Sequence, residues 1–60
     1  FHLTEREEEV LIFISRGFTN TEIAEQMFVS VNTIKTHIKN LFIKLDVRNR
    51  IEAANKAKVL

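Results

Sequence analysis

The sequence predicts an all-α fold: a four-helix domain with a central helix-turn-helix formed by helices two and three. Three observations support this prediction. Apolar residues recur at helical spacings of three and four, Thr and Ser precede several of these runs as capping residues, and no strand-like alternation competes with them. The chain has 60 residues with no Pro and one Gly, so residues 1–60 are expected to form a single small domain.

The first helix is predicted to begin after Thr4, because Glu7 three residues later completes a capping box. Its apolar face consists of Val10, Leu11 and Ile14. Gly17 lies where a helix commonly ends in the left-handed conformation, so the first helix should stop just before it.

Helices two and three are predicted to be separated by three residues, Phe28, Val29 and Ser30. Helix two should begin after Thr19, with Glu22 completing a second capping box, and Ser30 should cap helix three. The apolar stripes are Ile23, Ala24 and Met27 in helix two, and Ile34, Ile38, Leu41, Phe42 and Leu45 in helix three. So short a link between two helices is typical of a helix-turn-helix, in which helix three is the recognition helix.

A fourth helix is predicted from about Asn49, with its cap left open between Arg48 and Asn49. Its apolar side is expected to contain Ile51, Ala54 and Ala57. Asp46 and Val47 interrupt the apolar pattern ahead of this helix and therefore mark the turn that separates it from helix three.

The charge is unevenly distributed, although the net charge is only +1. Residues 1–30 carry two Arg against six Glu, a net −4, whereas residues 31–60 carry seven Lys or Arg against two acids, a net +5. A basic half on a small domain indicates a polyanionic partner, while two solvated faces of opposite sign remain the alternative.

The face of helix three opposite its apolar stripe is predicted to read DNA bases. Lys35 and Lys39 are four residues apart, and Thr36 lies between them. Lysine can donate to guanine, and threonine can hydrogen-bond a base or pack its methyl group on thymine. Asn32 and Asn40 flank these residues and are expected to contact the DNA backbone, with adenine as an alternative partner for Asn40. A merely solvated face is the alternative, but a protruding recognition helix favours docking in the major groove.

Further contacts to the DNA backbone are expected around the recognition helix. Helix N-termini attract phosphate through free backbone N–H groups. The candidates are Thr19, Asn20, Thr33, Arg48 and Arg50. His37 has two interpretations: a partly buried histidine that makes one hydrogen bond, which is favoured, or a phosphate contact.

The composition argues against an enzyme, a metal protein or a membrane protein. There is no Cys, and His2 and His37 are the two histidines, so neither a metal site nor a cofactor is expected. The glutamates at positions 7–9 are interpreted as a cap and a solvated run, not as a catalytic pair. No apolar stretch approaches the roughly 20 residues of a membrane span and no signal peptide is visible, so a cytoplasmic protein is expected.

Residues throughout the chain match one known pattern. They are Leu3, Thr4, Arg6, Glu7, Glu9, Val10, Leu11, Gly17, Phe18, Thr19, Asn20, Glu22, Ile23, Ala24, Val29, Ser30, Thr33, Ile34, Lys35, His37, Lys44, Leu45, Val47, Arg50 and Ala53. In this register the chain resembles the LuxR-type, or GerE-like, helix-turn-helix domain of bacterial transcription regulators. The resemblance implies four helices, of which the third reads the major groove.

The resemblance also implies roles for individual residues. Base-reading positions fall on Lys35, Thr36 and Lys39. Backbone-contact positions fall near Asn20, Thr33, His37 and Arg50. The usual dimer contact of the family is the fourth helix, and the nearest residues here are Val47, Ile51, Ala54 and Lys58. Family members carry an N-terminal regulatory domain, such as a phosphorylated receiver, so the chain is expected to be the C-terminal part of a larger regulator.

Two positions depart from the family pattern. Asp46 stands where the family usually has Gly between helices three and four, but Asp tolerates left-handed backbone, so the turn should survive. Ile12 is apolar where the family is often polar, and it should face either another domain or solvent.

Two functions remain open. The first is sequence-specific binding of double-stranded DNA, as a dimer on half-sites about 10 base pairs apart. The second is a protein-interaction module that binds an acidic partner through its basic half. The Glu-rich start of helix one could in addition contact RNA polymerase or a regulatory domain.

Overall fold

The fold of the protein is described by a computed structural model that covers residues 2–59. It consists of four α-helices: α1 (Glu5–Ser15), α2 (Asn20–Met27), α3 (Val31–Leu45) and α4 (Arg50–Ala57). No strand occurs in the described residues. The predicted all-α class and the order of its four helices are therefore confirmed.

The first two helices begin with the capping boxes that the sequence predicts. The Thr4 hydroxyl accepts the Glu7 N–H at 3.1 Å, and the Glu7 carboxylate accepts the Thr4 N–H at 2.9 Å. Thr19 and Glu22 repeat this pair at the start of α2, at 3.1 and 2.8 Å. Each cap satisfies N–H groups that the helix leaves open, which is worth about 1 kcal/mol.

The other two helices are capped by single side chains. The Ser30 hydroxyl accepts the Thr33 N–H at 3.1 Å, which confirms Ser30 as the cap of α3. The Asn49 side chain accepts the Glu52 N–H at 2.9 Å, so Asn49 rather than Arg48 caps α4. These local bonds determine where each helix begins.

Three residues with positive φ end the first three helices. Gly17 has φ +83°, Phe28 has φ 58° and Asp46 has φ 56°. The turn at Asp46 therefore survives without the family's glycine, as predicted. After the left-handed Phe28, the N–H of Val29 returns to the Ala24 carbonyl at 3.1 Å, which satisfies an open carbonyl of α2. A bulky residue is unusual in this conformation, and the Phe28 side chain is 94% exposed.

The hydrophobic core draws residues from all four helices. Its buried members are Val10, Leu11, Ile14, Ile23, Ala24, Met27, Ile34, Ile38, Leu41, Leu45 and Ala53. α1 packs against both α3 and α4, and α2 packs against α3. The predicted stripes of α1, α2 and α3 lie in or against this core, so the outer side of α3 is left exposed.

The predicted apolar side of α4 is partly wrong. Ala54 and Ala57 do pack against the core, but Ala53 is the residue of α4 that is fully buried. Ile51 is 74% exposed and takes no part in this packing. The side of α4 that packs against the core is thus made of small alanines, and the large side chain of Ile51 faces outward.

The interpretation of residues 7–9 as a cap followed by solvated acids is confirmed, with one feature that the sequence did not indicate. Glu8 and Glu9 are exposed as expected, but Glu7 is buried. It remains charged there because it is bonded to a lysine of α3, which is described below. No helix in the described part of the chain has the length and apolar character that crossing a membrane requires.

Candidate nucleic-acid interface

The outer side of α3 carries the residues that the sequence predicts to read bases. Lys35, Thr36 and Lys39 are all exposed. At 3.6 residues per turn, Lys39 lies about 40° around the helix from Lys35, so both side chains project from the same side of α3. Asn32 and Asn40 are exposed on this surface as well. The structure thus brings these five residues together on one surface.

Lys35 and Lys39 are not neutralised within the domain. Across residues 2–59, neither ammonium group lies within 4.0 Å of a carboxylate. The hydroxyl of Thr36 donates to the backbone carbonyl of Asn32 at 3.2 Å. Because its proton is engaged, Thr36 offers other molecules its methyl group and its oxygen as an acceptor. The surface therefore presents two positive donors beside a small side chain that can pack on a base.

Lys44 has a different environment, although it belongs to the same helix. Its Nζ donates to Oε1 of Glu7 at 2.7 Å, and the Glu7 side chain is only 4% exposed. The bond from Lys44 and the backbone N–H of Thr4 lower the pKa of Glu7, although burial opposes this shift. This ion pair joins the start of α1 to the end of α3 and thereby fixes the position of α3.

Two predicted backbone-contact residues of α3 are less accessible. Thr33 and His37 are both half-buried. The Thr33 hydroxyl lies 3.0 Å from that of Ser30, within the cap of the helix. The partial burial expected of His37 is found, but its ring makes no hydrogen bond within the described residues. A phosphate contact by His37 stays a prediction.

The N-terminus of α2 lies next to the first residue of α4. Arg50 donates from Nη1 to Oδ1 of Asn20 at 2.7 Å and from Nη2 to the carbonyl oxygen of Phe18 at 2.5 Å. Phe18 is itself held by Phe13, with ring centroids 5.0 Å apart. Arg50 thus joins the start of α4 to residues at and before the start of α2 that are 30 and 32 positions away in sequence, and two of its N–H groups are used within the domain.

The remaining predicted residues lie around the α3–α4 turn and on α4. Arg48 and Lys58 are exposed. Val47 and Ala54 are half-buried against the core, whereas Ile51 is exposed. Among the residues proposed for a dimer contact, Ile51 is therefore the large apolar side chain that is available to a partner.

Sequence reasoning missed three features of this region. The Glu7–Lys44 pair and the bonds of Arg50 join residues far apart in sequence, so no local pattern indicates them. Ile43 is 69% exposed, and helical geometry places it about 20° from Thr36, seven residues earlier. Its absence from the apolar stripe could have identified it as part of the outer surface. No cluster of three or more His, Cys, Asp or Glu suited to a metal ion occurs in the described residues.

Comparison with known proteins agrees with this arrangement. Residues 2–57 match the GerE family, described as bacterial regulatory proteins of the luxR family. The chain is 52% identical over 52 residues to the transcriptional regulatory protein LiaR of Bacillus subtilis. It is 45% identical over 51 residues to the response regulator protein VraR of Staphylococcus aureus and to that of Staphylococcus epidermidis.

These similarities cover most of the chain but a small part of each relative. The matched segment is 87% of this chain and 25% of LiaR, and 85% of this chain and 24% of VraR. The chain therefore spans about a quarter of the length of these relatives. The match concerns the helical domain described above.

Proposed function

The chain belongs to the luxR family of bacterial regulatory proteins, and from this membership and the geometry of α3 we propose that it binds double-stranded DNA sequence-specifically. In this proposal α3 lies in the major groove, with Lys35, Thr36 and Lys39 on base edges. The domain would serve a longer transcription regulator that acts in the cytoplasm. As in LiaR and VraR, the remaining three-quarters of such a regulator lie outside the matched segment.

One observation carries the proposal: the outer side of α3 presents Lys35 and Lys39 exposed and unpaired with any described acid, around Thr36. An ammonium group without an internal partner can donate to guanine O6 and N7. The methyl group of Thr36 can pack on the methyl group of thymine. The same three side chains can thus distinguish base pairs and not merely attract phosphate.

Contacts to the sugar-phosphate backbone would hold α3 in register. The proposed residues surround the recognition surface on α2, α3 and the α3–α4 turn. They are Thr19, Asn20, Asn32, Thr33, His37, Asn40, Arg48 and Arg50, the last of which would act through Asn20. Most of them are neutral donors, so their contribution would be positional, whereas the lysines and Arg48 would supply the salt-dependent part of the affinity.

We further propose that two copies bind paired half-sites about 10 base pairs apart through α4. Ile51 on this helix and Lys58 directly after it are exposed, while Val47 before the helix and Ala54 within it are half-buried against the core. An exposed isoleucine is suited to a small apolar contact between two copies. Analytical ultracentrifugation with one-site and two-site duplexes would measure this assembly.

The first step is to identify the DNA site by selecting bound duplexes from a random library. Binding of the selected and scrambled duplexes is then compared for the parent, Lys35→Ala and Lys39→Ala. Loss of a base contact should cost about 1–3 kcal/mol on the selected duplex and reduce the preference over the scrambled one. Arg6→Ala is the matched control because it removes the same charge from α1, where Arg6 pairs with Glu9 at 3.7 Å.

Salt titration separates this function from an interaction module for acidic proteins. DNA affinity should fall with a log–log slope of about −0.9 for each phosphate neutralised. Both lysine variants binding the selected duplex as tightly as the parent would show that the recognition surface is misassigned. Absence of any enriched duplex, together with capture of an acidic protein by the basic half, would favour the alternative function.

A further inference from the structure

We infer that Arg50 is a positioning residue for DNA binding, which holds the Asn20 side chain so that its amide N–H groups face a DNA phosphate. This differs from a direct phosphate contact by Arg50. The inference rests on the proposed function, because it concerns how the domain grips the DNA backbone beside the recognition helix.

The chemistry of Arg50 determines how the Asn20 amide is oriented. A guanidinium group has donors and no acceptor, so the atom that it contacts at 2.7 Å must be the amide oxygen of Asn20. The amide nitrogen, Nδ2, carries only donors and cannot bond to the guanidinium group. Both of its N–H groups are therefore left for other acceptors.

Those two N–H groups are available to a ligand. Nδ2 of Asn20 bonds to no acceptor within residues 2–59, although Asn20 is half-buried. No side-chain nitrogen or oxygen of the described residues is buried without a hydrogen-bond partner, so Nδ2 must reach solvent. A half-buried side chain with its oxygen held and its donors accessible is well prepared to bind an anionic oxygen.

Backbone donors lie beside this amide. The caps of α2 use the N–H groups of Thr19 and Glu22, whereas those of Asn20 and Thr21 bond to no described acceptor. The carboxylate of Glu22 also lies at this helix end, where it accepts the N–H of Thr19 at 2.8 Å. A phosphate oxygen can receive neutral donors from Asn20 and Thr21 beside it.

Arginine suits this role better than lysine because it is anchored at two points. One arm bonds to the backbone carbonyl of Phe18, whose ring packs on Phe13, and the other arm holds Asn20. A lysine at position 50 would keep the charge but lacks the planar fork that reaches both acceptors. If Arg50 contributes only its charge, Arg50→Lys should bind DNA like the parent. If Arg50 positions Asn20, Arg50→Lys should bind more weakly.

The test measures binding of the selected duplex by fluorescence anisotropy at one salt concentration, with melting by circular dichroism to confirm that each variant is folded. We expect Arg50→Lys, Arg50→Gln and Asn20→Ala each to weaken binding about tenfold. The double variant Arg50→Gln with Asn20→Ala should bind no more weakly than Asn20→Ala alone, since Arg50 acts through Asn20.

Two further measurements exclude a general effect on folding. Asn20→Asp keeps an acceptor for Arg50 but removes both side-chain N–H donors. This variant should remain folded and bind the selected duplex about tenfold more weakly or worse, because the hydrogen bonds to phosphate are lost. Replacing the contacted phosphate by a neutral methylphosphonate should weaken binding of the parent more than that of Asn20→Ala, which retains only the backbone donors. A purely structural role of Arg50 would not depend on that phosphate.

Several results would overturn the inference while leaving DNA binding intact. Parent-like affinity of Arg50→Lys would mean that the charge is sufficient and that Arg50 itself contacts phosphate. If the double variant loses the sum of the two single losses of binding free energy, Arg50 contributes independently of Asn20. Parent-like affinity of Asn20→Asp would show that the amide donors are not used. If the parent enriches no duplex at all, the proposed function itself fails, which is a distinct outcome.

Discussion

The inner and outer sides of α3 show how the same residue type acquires different roles on one helix. Lys35 and Lys39 leave the outer side and meet no described acid, whereas Lys44 donates to the buried Glu7 at 2.7 Å. At 100° per residue, Lys44 lies about 180° around the helix from Lys35. Its stem therefore runs along the far flank of the helix, where the start of α1 supplies a carboxylate.

The comparison teaches that anchoring and recognition are divided between surfaces of α3. The inner side contributes fully buried side chains, and the flank with Lys44 contributes an ion pair to another helix, so changes there should alter folding. The outer side contributes two exposed lysines that pair with no described acid, so changes there should alter DNA binding and leave stability nearly constant.

The largest expected effect is on the inner side, where Leu41 is completely buried. Leu41→Ala should reduce the free energy of unfolding by about 2–5 kcal/mol, because it removes buried methyl groups and leaves a cavity. Chemical denaturation followed by circular dichroism measures this loss. Ile43→Ala, two residues away on the outer side, is the control and should change stability by no more than about 0.5 kcal/mol. Equal losses would contradict the division between the two sides.

A smaller effect is expected at the ion pair. Lys44→Ala should destabilise the domain by about 1–3 kcal/mol, because it leaves the buried carboxylate of Glu7 without its charged partner. The Lys44 side chain is 37% exposed, so water will replace part of the lost bond and the lower half of this range is the better expectation. Lys39→Ala removes the same side chain from the outer surface and should leave the denaturation midpoint unchanged. A similar shift for both variants would mean that the pair with Glu7 adds nothing.

The smallest expected effect is the acid sensitivity that this pair confers. Glu7 has a pKa below its ordinary value of 4.5 in the folded state. A lowered pKa stabilises the fold above about pH 4.5, and this contribution is lost as the pH falls through the folded-state value. Thermal melts from pH 6 to pH 3 should therefore show a shallower acid loss for Glu7→Gln than for the parent. Glu8→Gln removes the adjacent, exposed carboxylate and should show the same dependence of melting temperature on pH as the parent. Identical curves for all three proteins would refute the contribution of Glu7 to acid sensitivity.

Features that depend on neighbours three or four residues apart could be predicted from the sequence. Thr4 and Thr19 find their capping partners within one helical turn, and the structure confirms both boxes. The separation of α3 into an apolar stripe and a polar side follows from the helical period in the same way. The exposure of Lys35 and Lys39 is a consequence of that period, although their contact with DNA stays a prediction.

Features that depend on other helices could not be predicted. Ile51 was expected on the packed side of α4, but Ala53 is the residue of α4 that is fully buried and Ile51 faces outward. Arg50 was expected to contact the DNA backbone, which stays a prediction, but its bonds to Phe18 and Asn20, more than 29 residues away, were not foreseen. Nothing in the local pattern around either residue indicates which helix lies opposite it.

The amino-acid sequence by itself determined the four helices, their caps, the three-residue turn before α3 and the polar face of that helix, since all of these arise from interactions within a few residues. Only the tertiary structure decided that Glu7 is buried against Lys44 and that Arg50 holds Asn20. Those contacts exist because packing the apolar stripes brings distant segments within hydrogen-bond range, and the geometry of that packing is a property of all four helices together.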